Sequence, residues 1–413
     1  MDKPTVVAID IGTTKICTLV GREETAGKIN ILGAGIEPAE GMRKGVVVDL
    51  TAASQAVSRS VDKAEHTAGL EITSALVSLA GASVSSINSR GVVGVSGRVI
   101  DEGDVLRAVD AARAVAIPHN REIIHVIQRG FKVDEHDGIH NPVGMHGYRL
   151  EVETHIITAA AGVVENLREC VAAANVDVSQ FVLNPLASAE VALNETERQI
   201  GVAVCDIGGG TTDLALYIDG DIWHTAVLAV GGNLVTSDIA HGLRLPLNQA
   251  EEVKLLHGHA ISSEIDRKES FQIRPFGEGE LVQISRQDLV QIIEARAEEI
   301  FTMVLQEIKR SGYDGLLPAG MVITGGGSLL PGMREMAARV LGVPVRVAKP
   351  QNLLGMADRL DSPAFSTSVG LLRWALNMSD YSAYVGGHIA SPMIGGGETL
   401  WEKIRRFFKL LTP

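Results

Sequence analysis

Cysteine is scarce. Three stand in 413 residues, Cys17, Cys170 and Cys205, and they are widely scattered. That spacing excludes a disulfide framework and the tight ligand pairs of a structural zinc site. Cys17 and Cys205 sit inside apolar, strand-like runs, where they are expected as small buried hydrophobes in a reducing compartment. Positive charge is also short, with 37 Lys and Arg against 50 Asp and Glu and a formal net charge of −13. General nucleic-acid affinity, which is mostly phosphate neutralisation by basic side chains, is excluded on that balance. No stretch approaches the roughly 20 apolar residues of a membrane-spanning helix. The start, Met1-Asp2-Lys3-Pro4, lacks the basic stretch of a secretory leader. A cytoplasmic protein is expected, unless some segment tethers it. Core-forming material is plentiful: 46% of residues are hydrophobic and 21% charged, so two to three folded domains are expected at this length.

The chain is organised around Val202-Ala203-Val204-Cys205-Asp206-Ile207-Gly208-Gly209-Gly210-Thr211-Thr212-Asp213. A short β-branched run reads as a buried strand ending in a carboxylate. Three glycines follow, which leave no side chain between backbone and ligand, and two hydroxyls come after them. Successive amides in such a turn can cradle an anion, and a carboxylate at the strand end suits a hydrated Mg²⁺. Near the start, Val6-Val7-Ala8-Ile9-Asp10-Ile11-Gly12-Thr13-Thr14-Lys15 repeats the pattern. Lys15, just past the turn, is within reach of a phosphate. The two aspartates lie almost half the chain apart, which points to a duplicated fold with a nucleotide between its halves.

In order, residues 4–38 read as three strands. Asp49 caps a helix to Ala68, with Gly69 as its stop. Residues 81–158 change character, with glycine- and serine-broken strands, a helix from Asp101 and a loop at 134–142. They read as a small α+β module set into the first half. Six histidines fall between His119 and His155, without the pairing of a metal site. A helix begins at Asn184-Pro185. After the Asp206 turn the strand pattern repeats, and Gly231-Gly232 opens a helix. Glu251 and Lys254 share one helix face. Ser285 and Asp288 resemble a capping box before the longest helix, to about Lys309. Thr324-Gly325-Gly326-Gly327 is a third strand-then-glycine turn. Three such turns at strand carboxyl ends match how open α/β sheets hold ligands.

The last domain helix is expected to end near Leu376. Residues 378–397 then read as a flexible Gly- and Ser-rich linker. On a helix over 398–413, Leu400, Trp401, Ile404, Phe407, Phe408 and Leu411 share a face, flanked by Lys403, Arg405, Arg406 and Lys409. That composition is expected of an interfacial membrane helix, drawn to anionic lipid and reversible as a single anchor.

The paired Asp-Ile-Gly turns and the Thr324–Gly332 turn resemble the actin-like ATPase superfamily. Within it, the module at 82–159, Gly231–Ile239, Ala250–Lys254, Ser366-Thr367-Ser368-Val369-Gly370 and the amphipathic end make the chain similar to the FtsA family of bacterial cell-division proteins. The resemblance covers essentially the whole chain. It implies an α/β, actin-like fold of two ribonuclease-H-like halves around a nucleotide cleft. The implied division is 1–81, 160–198 and 360–377 for the first half and 82–159 for the inserted subdomain. The second half takes 199–235 and 301–359, the small subdomain 236–300, the linker 378–397 and the membrane helix 398–413.

By the same resemblance, Asp10 and Asp206 hold Mg²⁺. Gly12, Thr13, Thr14, Gly208, Gly209, Gly210, Thr211 and Thr212 cradle the phosphates of ATP. Glu251 and Lys254 reach the nucleoside, with Gly325, Gly326, Gly327 and Met333 on the base side. The implied protein polymerises on the cytoplasmic face of the membrane at the division site. It binds the C-terminal tail of the tubulin-like protein FtsZ through the small subdomain and helps recruit later division proteins. Arg286 and Arg296 are candidate contacts for an acidic tail. Where related ATPases carry a water-orienting Glu or Gln, this chain has Asn184, so tight binding with slow hydrolysis is expected. The competing readings are a soluble kinase or ATPase of the superfamily and a pilus-assembly scaffold related to it.

Overall fold

The computed structural model describes residues 4–25, 27–276 and 280–384. Among them, one sheet has six strands in the spatial order Asp177–Leu183, Ser74–Leu79, Thr5–Ile11, Lys15–Thr25, Lys28–Pro38, Leu353–Gly355. A second has five, in the order Val345–Val347, Met321–Thr324, Val202–Ile207, Thr212–Ile218, Asp221–Leu228. In each, the strand that enters first lies centrally. It pairs antiparallel with its hairpin neighbour and parallel with a strand that arrives after a helix. The two ribonuclease-H-like halves that the resemblance implies are therefore present, sharing the order of five strands.

Both central strands are buried on both faces, which is why they read as continuous apolar runs. Helix Leu50–Ala68 covers the first sheet. Its N-cap Asp49 accepts from the Ala52 amide at 3.0 Å, and Gly69 ends it in the left-handed conformation at φ 68°. The helix lies unusually close to the sheet because Gly35 faces it. A β-carbon at Gly35 would overlap the Ser60 carbonyl, and Ser60 Oγ donates to the Gly35 carbonyl at 2.8 Å. In the second half, helix Arg286–Ser311 buries Leu289, Ile293, Ala297, Ile300 and Val304 along one face. Ser285 caps it, accepting from the Gln287 amide at 3.2 Å.

The inserted module is a four-stranded sheet, in the order Ser85–Gly94, Arg149–Ala160, Arg121–Val133, His136–Ile139, with helix Glu102–Arg113 packed on it. Asp101 and Asp104 form a reciprocal capping box at that helix's start. The module has its own small core around Phe131, Leu150 and Val152. It leans on strand Asp221–Leu228, an edge of the second sheet. Ser86 Oγ donates to the Thr225 carbonyl at 3.0 Å, His155 Nε2 meets Thr225 Oγ1 at 2.9 Å, and the Arg129 guanidinium lies 4.0 Å over the Trp223 ring.

Three elements differ from the sequence reading. The stretch 134–142, read as a loop, contains strand His136–Ile139, which turns back on Arg121–Val133 through Asp134 at φ 52°. Its charged sequence hides a short edge strand. Leu353–Gly355, which falls within the 301–359 given to the second half, returns instead to the first sheet beside Lys28–Pro38. The last helix runs from Ser366 to Tyr384, past the expected end near Leu376 and through 378–384 of the expected linker. No glycine or proline occurs between Gly370 and Gly386 to stop it. The amphipathic residues Leu400, Trp401, Lys403, Ile404, Arg405, Arg406, Phe407, Phe408, Lys409 and Leu411 lie outside the described residues. No described helix is long and apolar enough to cross a membrane.

Candidate functional site

The two Asp-Gly turns face each other, and they are built alike. The Gly12 amide donates to the Lys15 carbonyl at 3.0 Å, and the Gly208 amide donates to the Thr211 carbonyl at 2.9 Å. Each turn thus closes on the fourth residue, with Thr13 and Thr14 at the tip of one and Gly209 and Gly210 at the tip of the other. The turns also touch. A β-carbon on Gly209 would overlap Thr14 Cγ2, and one on Gly210 would fall 2.5 Å from Thr13 Oγ1. Glycine is needed here for the approach of one half to the other as much as for a ligand. Thr13 Oγ1 accepts from the Gly45 amide at 3.1 Å.

Asp10 and Asp206 end their strands 4% and 5% exposed. Burial pushes the Asp206 carboxyl up to about 6, against the Thr367 hydroxyl bonded to it and with the help of the Asp10 charge. Asp213, opposite Asp206 in the hairpin, is raised well above the usual carboxylate range by burial first and by Asp206 second. Thr211 Oγ1 donates to Asp213 Oδ2 at 3.1 Å, but Asp213 Oδ1 has no partner. Asn184 Oδ1 and Ser188 Oγ, from the helix Asn184–Ala192, are likewise buried without partners. Three orphaned polar atoms thus gather around Asp206 and Asp213, whose carboxyls Ser188 and Asn184 pull down against burial.

Several expected residues point elsewhere. Lys15 donates to the Ala364 carbonyl, and its ammonium lies 4.8 Å from the Phe365 ring centre. Thr212 belongs to a strand, and its hydroxyl donates to the Val230 carbonyl at 2.9 Å, away from the turn. Met333 is 3% exposed and packs in the second-half core rather than on an open base-binding wall. Gly325 takes φ 81°, and a β-carbon there would overlap Asp206 Oδ1; Gly327 is packed just as tightly against Ile207. Gly326 is looser, with Ala364 Cβ 3.7 Å from the place of its β-carbon. Glu251 and Lys254 are paired at 2.7 Å, and Lys254 reaches Thr236 Oγ1 at 2.9 Å and the Gly232 carbonyl at 3.3 Å. Helix Gly232–Leu243 starts on the turn itself, its Gly232 and Asn233 amides donating to the carbonyls of Gly208 and Gly209 at 2.9 and 2.8 Å. Glu251 and Lys254 therefore sit one helix away from the Asp206 turn.

Arg286 and Arg296 are not free for an acidic partner. Arg286 Nη1 binds Glu269 at 2.5 Å and its Nε donates to the His257 carbonyl. Arg296 grips Asp238 with two parallel bonds of 2.6 and 3.0 Å and also binds Glu299. The motif Ser366-Thr367-Ser368, which carried only resemblance in the sequence, brings three hydroxyls into the site. Thr367 Oγ1 donates to Asp206 Oδ2 at 2.8 Å and Ser368 Oγ to Asp10 Oδ2 at 2.7 Å, while Ser366 Oγ and Thr324 Oγ1 are 2.6 Å apart.

Residues 203–370 match the family described as Cell division protein FtsA, and residues 81–158 match the SHS2 domain inserted in FTSA. The chain is 39% identical to Cell division protein FtsA of Pseudomonas aeruginosa over 371 residues, which span 90% of this chain and 89% of that one. This chain belongs to the FtsA family. The FtsA of Escherichia coli K12 is 37% identical over 380 residues, covering 90% of both chains, and that of Bacillus subtilis 38% over 371 residues, covering 89% and 83%. Among solved structures, a PilM-PilN type IV pilus biogenesis complex superposes with a TM-score of 0.63 at 18% identity, covering 89% of this chain and 97% of that one. MreB5 of Spiroplasma citri bound to ADP gives 0.58 at 15%, covering 93% and 99%. These two speak to the actin-like fold alone. Placed on the FtsA family, the cleft between the halves is the position at which the fold's own duplication brings two acidic turns together.

Proposed function

We propose that this FtsA-family chain binds ATP with Mg²⁺ and assembles into actin-like filaments on the inner face of the cytoplasmic membrane. There it links the FtsZ ring to the membrane and helps recruit later division proteins. The observation that carries the reading is the opposed pair of turns, Asp10–Lys15 and Asp206–Thr211, which touch across one cleft. Their residues fit a triphosphate: two glycine turns donate amides, and no β-carbon stands at Gly12, Gly208, Gly209 or Gly210. Asp10 and Asp206, both buried near the ends of their strands, fit a hydrated divalent cation. Glu251 and Lys254 are the polar pair offered to the nucleoside. An MreB5 structure bound to AMPPNP shares the fold.

Asn184 is supported as a weak water-orienting group, being short, buried and beside Asp213. Slow hydrolysis follows, because phosphoryl transfer needs a placed nucleophile as well as a held metal. The FtsZ tail is assigned to the small subdomain at 236–300, through residues other than the internally paired Arg286 and Arg296. The membrane is assigned to 398–413, whose apolar face and basic flank suit an anionic surface; a filament multiplies this weak anchor through avidity. Vesicle co-sedimentation with ATP tests the whole reading, comparing the full chain with one truncated before Glu398. The full chain should pellet with anionic vesicles and the truncation should not. Equal behaviour of the two would remove membrane tethering, and absence of polymers on a lipid monolayer would remove filament formation.

A further inference from the structure

The first three residues of the last helix each hold a different turn. Ser366 meets Thr324 of the third turn at 2.6 Å, Thr367 donates to Asp206 of the second at 2.8 Å, and Ser368 donates to Asp10 of the first at 2.7 Å. All three are buried, at 1%, 8% and 0% exposure. Two of the partners belong to the second half and one to the first. Downstream, the same helix is fastened to the first half. Gly370 crosses helix Asn184–Ala192 so closely that a β-carbon would overlap the Ala187 carbonyl, Leu372 packs on Gly21, and Asn377 Nδ2 donates to Glu190 at 2.8 Å.

Each hydroxyl fixes one oxygen of a carboxylate that would otherwise rotate about its last torsion. Fixing Oδ2 sets the plane of the group and hence where its other oxygen points. The two carboxylates are the ones assigned above to the cation, so the inference rests on that reading and deepens it. We infer that Thr367 and Ser368 are positioning residues for Asp10 and Asp206, and that through them helix Ser366–Tyr384 registers what the cleft holds. Neither hydroxyl need touch nucleotide. Any shift of the two carboxylates toward a bound cation is delivered to the first turn of a helix that is rigidly attached to one half and leads to residues 385–413.

The experiment uses the full chain and the variants Thr367→Val, Thr367→Ser and Ser368→Ala, with ATP affinity measured in Mg²⁺ and again in excess chelator. Removing one hydrogen bond to a charged group should weaken Mg²⁺-dependent binding about tenfold or more, while affinity in chelator stays nearly unchanged. Thr367→Ser keeps the hydroxyl and should restore wild-type behaviour. Amide exchange across 369–378 should slow on adding Mg²⁺ and ATP to the wild type, and should not respond in Thr367→Val. An equal loss with and without Mg²⁺ would make these residues ordinary packing and overturn the inference, as would unchanged binding in both valine and alanine variants. Unfolding of a variant shows in its nucleotide-free melting point, and Thr367→Ser then decides alone by retaining or losing the exchange response. A wild type that binds no ATP in either buffer would instead remove the underlying reading.

Discussion

Cys17 and Asp213 occupy the same position in the two halves: each lies directly across its hairpin from the aspartate that ends the central strand, Cys17 from Asp10 and Asp213 from Asp206. In one half the place holds a thiol pushed up to about 12 by burial. In the other it holds a carboxyl that burial and Asp206 drive well above its ordinary range. The duplicated frame has kept its backbone and given its two halves different chemistry.

Asp213→Asn should therefore be tolerated by the fold. It replaces a buried acid beside Asp206 with a neutral group of the same shape, and desolvation of a like-charged neighbour is removed. Without nucleotide, the melting temperature should stay level or rise by a few degrees. A fall of many degrees would show that an ionised Asp213 is holding the turn together.

Gly209→Ala and Gly210→Ala should act on the approach of the halves. Their β-carbons would strike Thr14 and Thr13 across the cleft. Overpacking of this kind costs about 1–3 kcal/mol, equivalent to roughly 5- to 150-fold in affinity. Titration with a fluorescent ATP analogue should show that loss, with each half still melting near its usual temperature. Pairing Gly210→Ala with Thr13→Ser, which removes one of the clashing atoms, should recover part of it.

Acid should loosen the joint between the inserted module and the second half. His155 is pushed down to about 3 by burial and by the neighbouring His224 and Arg129, and His125 to about 4 by burial alone. Both are neutral in the folded chain near pH 5–7, whereas in the unfolded chain they titrate near 6.5. Over the interval between, the unfolded state binds more protons at these two rings, so their contribution to stability falls as pH drops below 6.5. Each histidine contributes a slope of about 1.4 kcal/mol per pH unit. The urea midpoint of the wild type should fall relative to that of His155→Gln from pH 7 to pH 5; the raised carboxyls of Asp206, Asp213 and Asp221 act in the opposite sense and cancel in that difference. A difference that stays flat across that range would contradict burial of the His155 ring.

Arg296 and Asp238 should behave as a couple. Their fork-like pair is only partly exposed, at 24% and 30% for the two side chains. Arg296→Ala, Asp238→Ala and the double variant should each cost about the same, on the order of 1 kcal/mol after allowance for solvent screening. Affinity for an acidic peptide should change little in Arg296→Ala. A selective loss of peptide binding would return Arg296 to the partner surface.

The halves were legible because each central strand is apolar on both faces and ends in Asp-Ile-Gly, a signal held within a few neighbouring residues. Helix Leu50–Ala68 was legible for the same local reason, since Asp49 and Gly69 are its own caps. The strands His136–Ile139 and Leu353–Gly355 were not, because a short edge strand needs a partner from elsewhere and carries little periodicity of its own. In the site, Asp10, Asp206 and the glycines of the turns could be read from the motif. The commitments of Lys15, Thr212, Arg286 and Arg296 could not, as each is settled by an acceptor far away in sequence. Ser366, Thr367 and Ser368 are plain helix-start residues until the fold brings three turns to them.

Among the described residues the chain passes between the halves twice, once after helix Asn184–Ala192 and again between Val345–Val347 and Leu353–Gly355. Two straps on one side of a joint permit a door and forbid a swivel. Whatever opens this cleft must swing about the line through those two crossings, and a protease that severs one of them leaves a molecule still hung on the other.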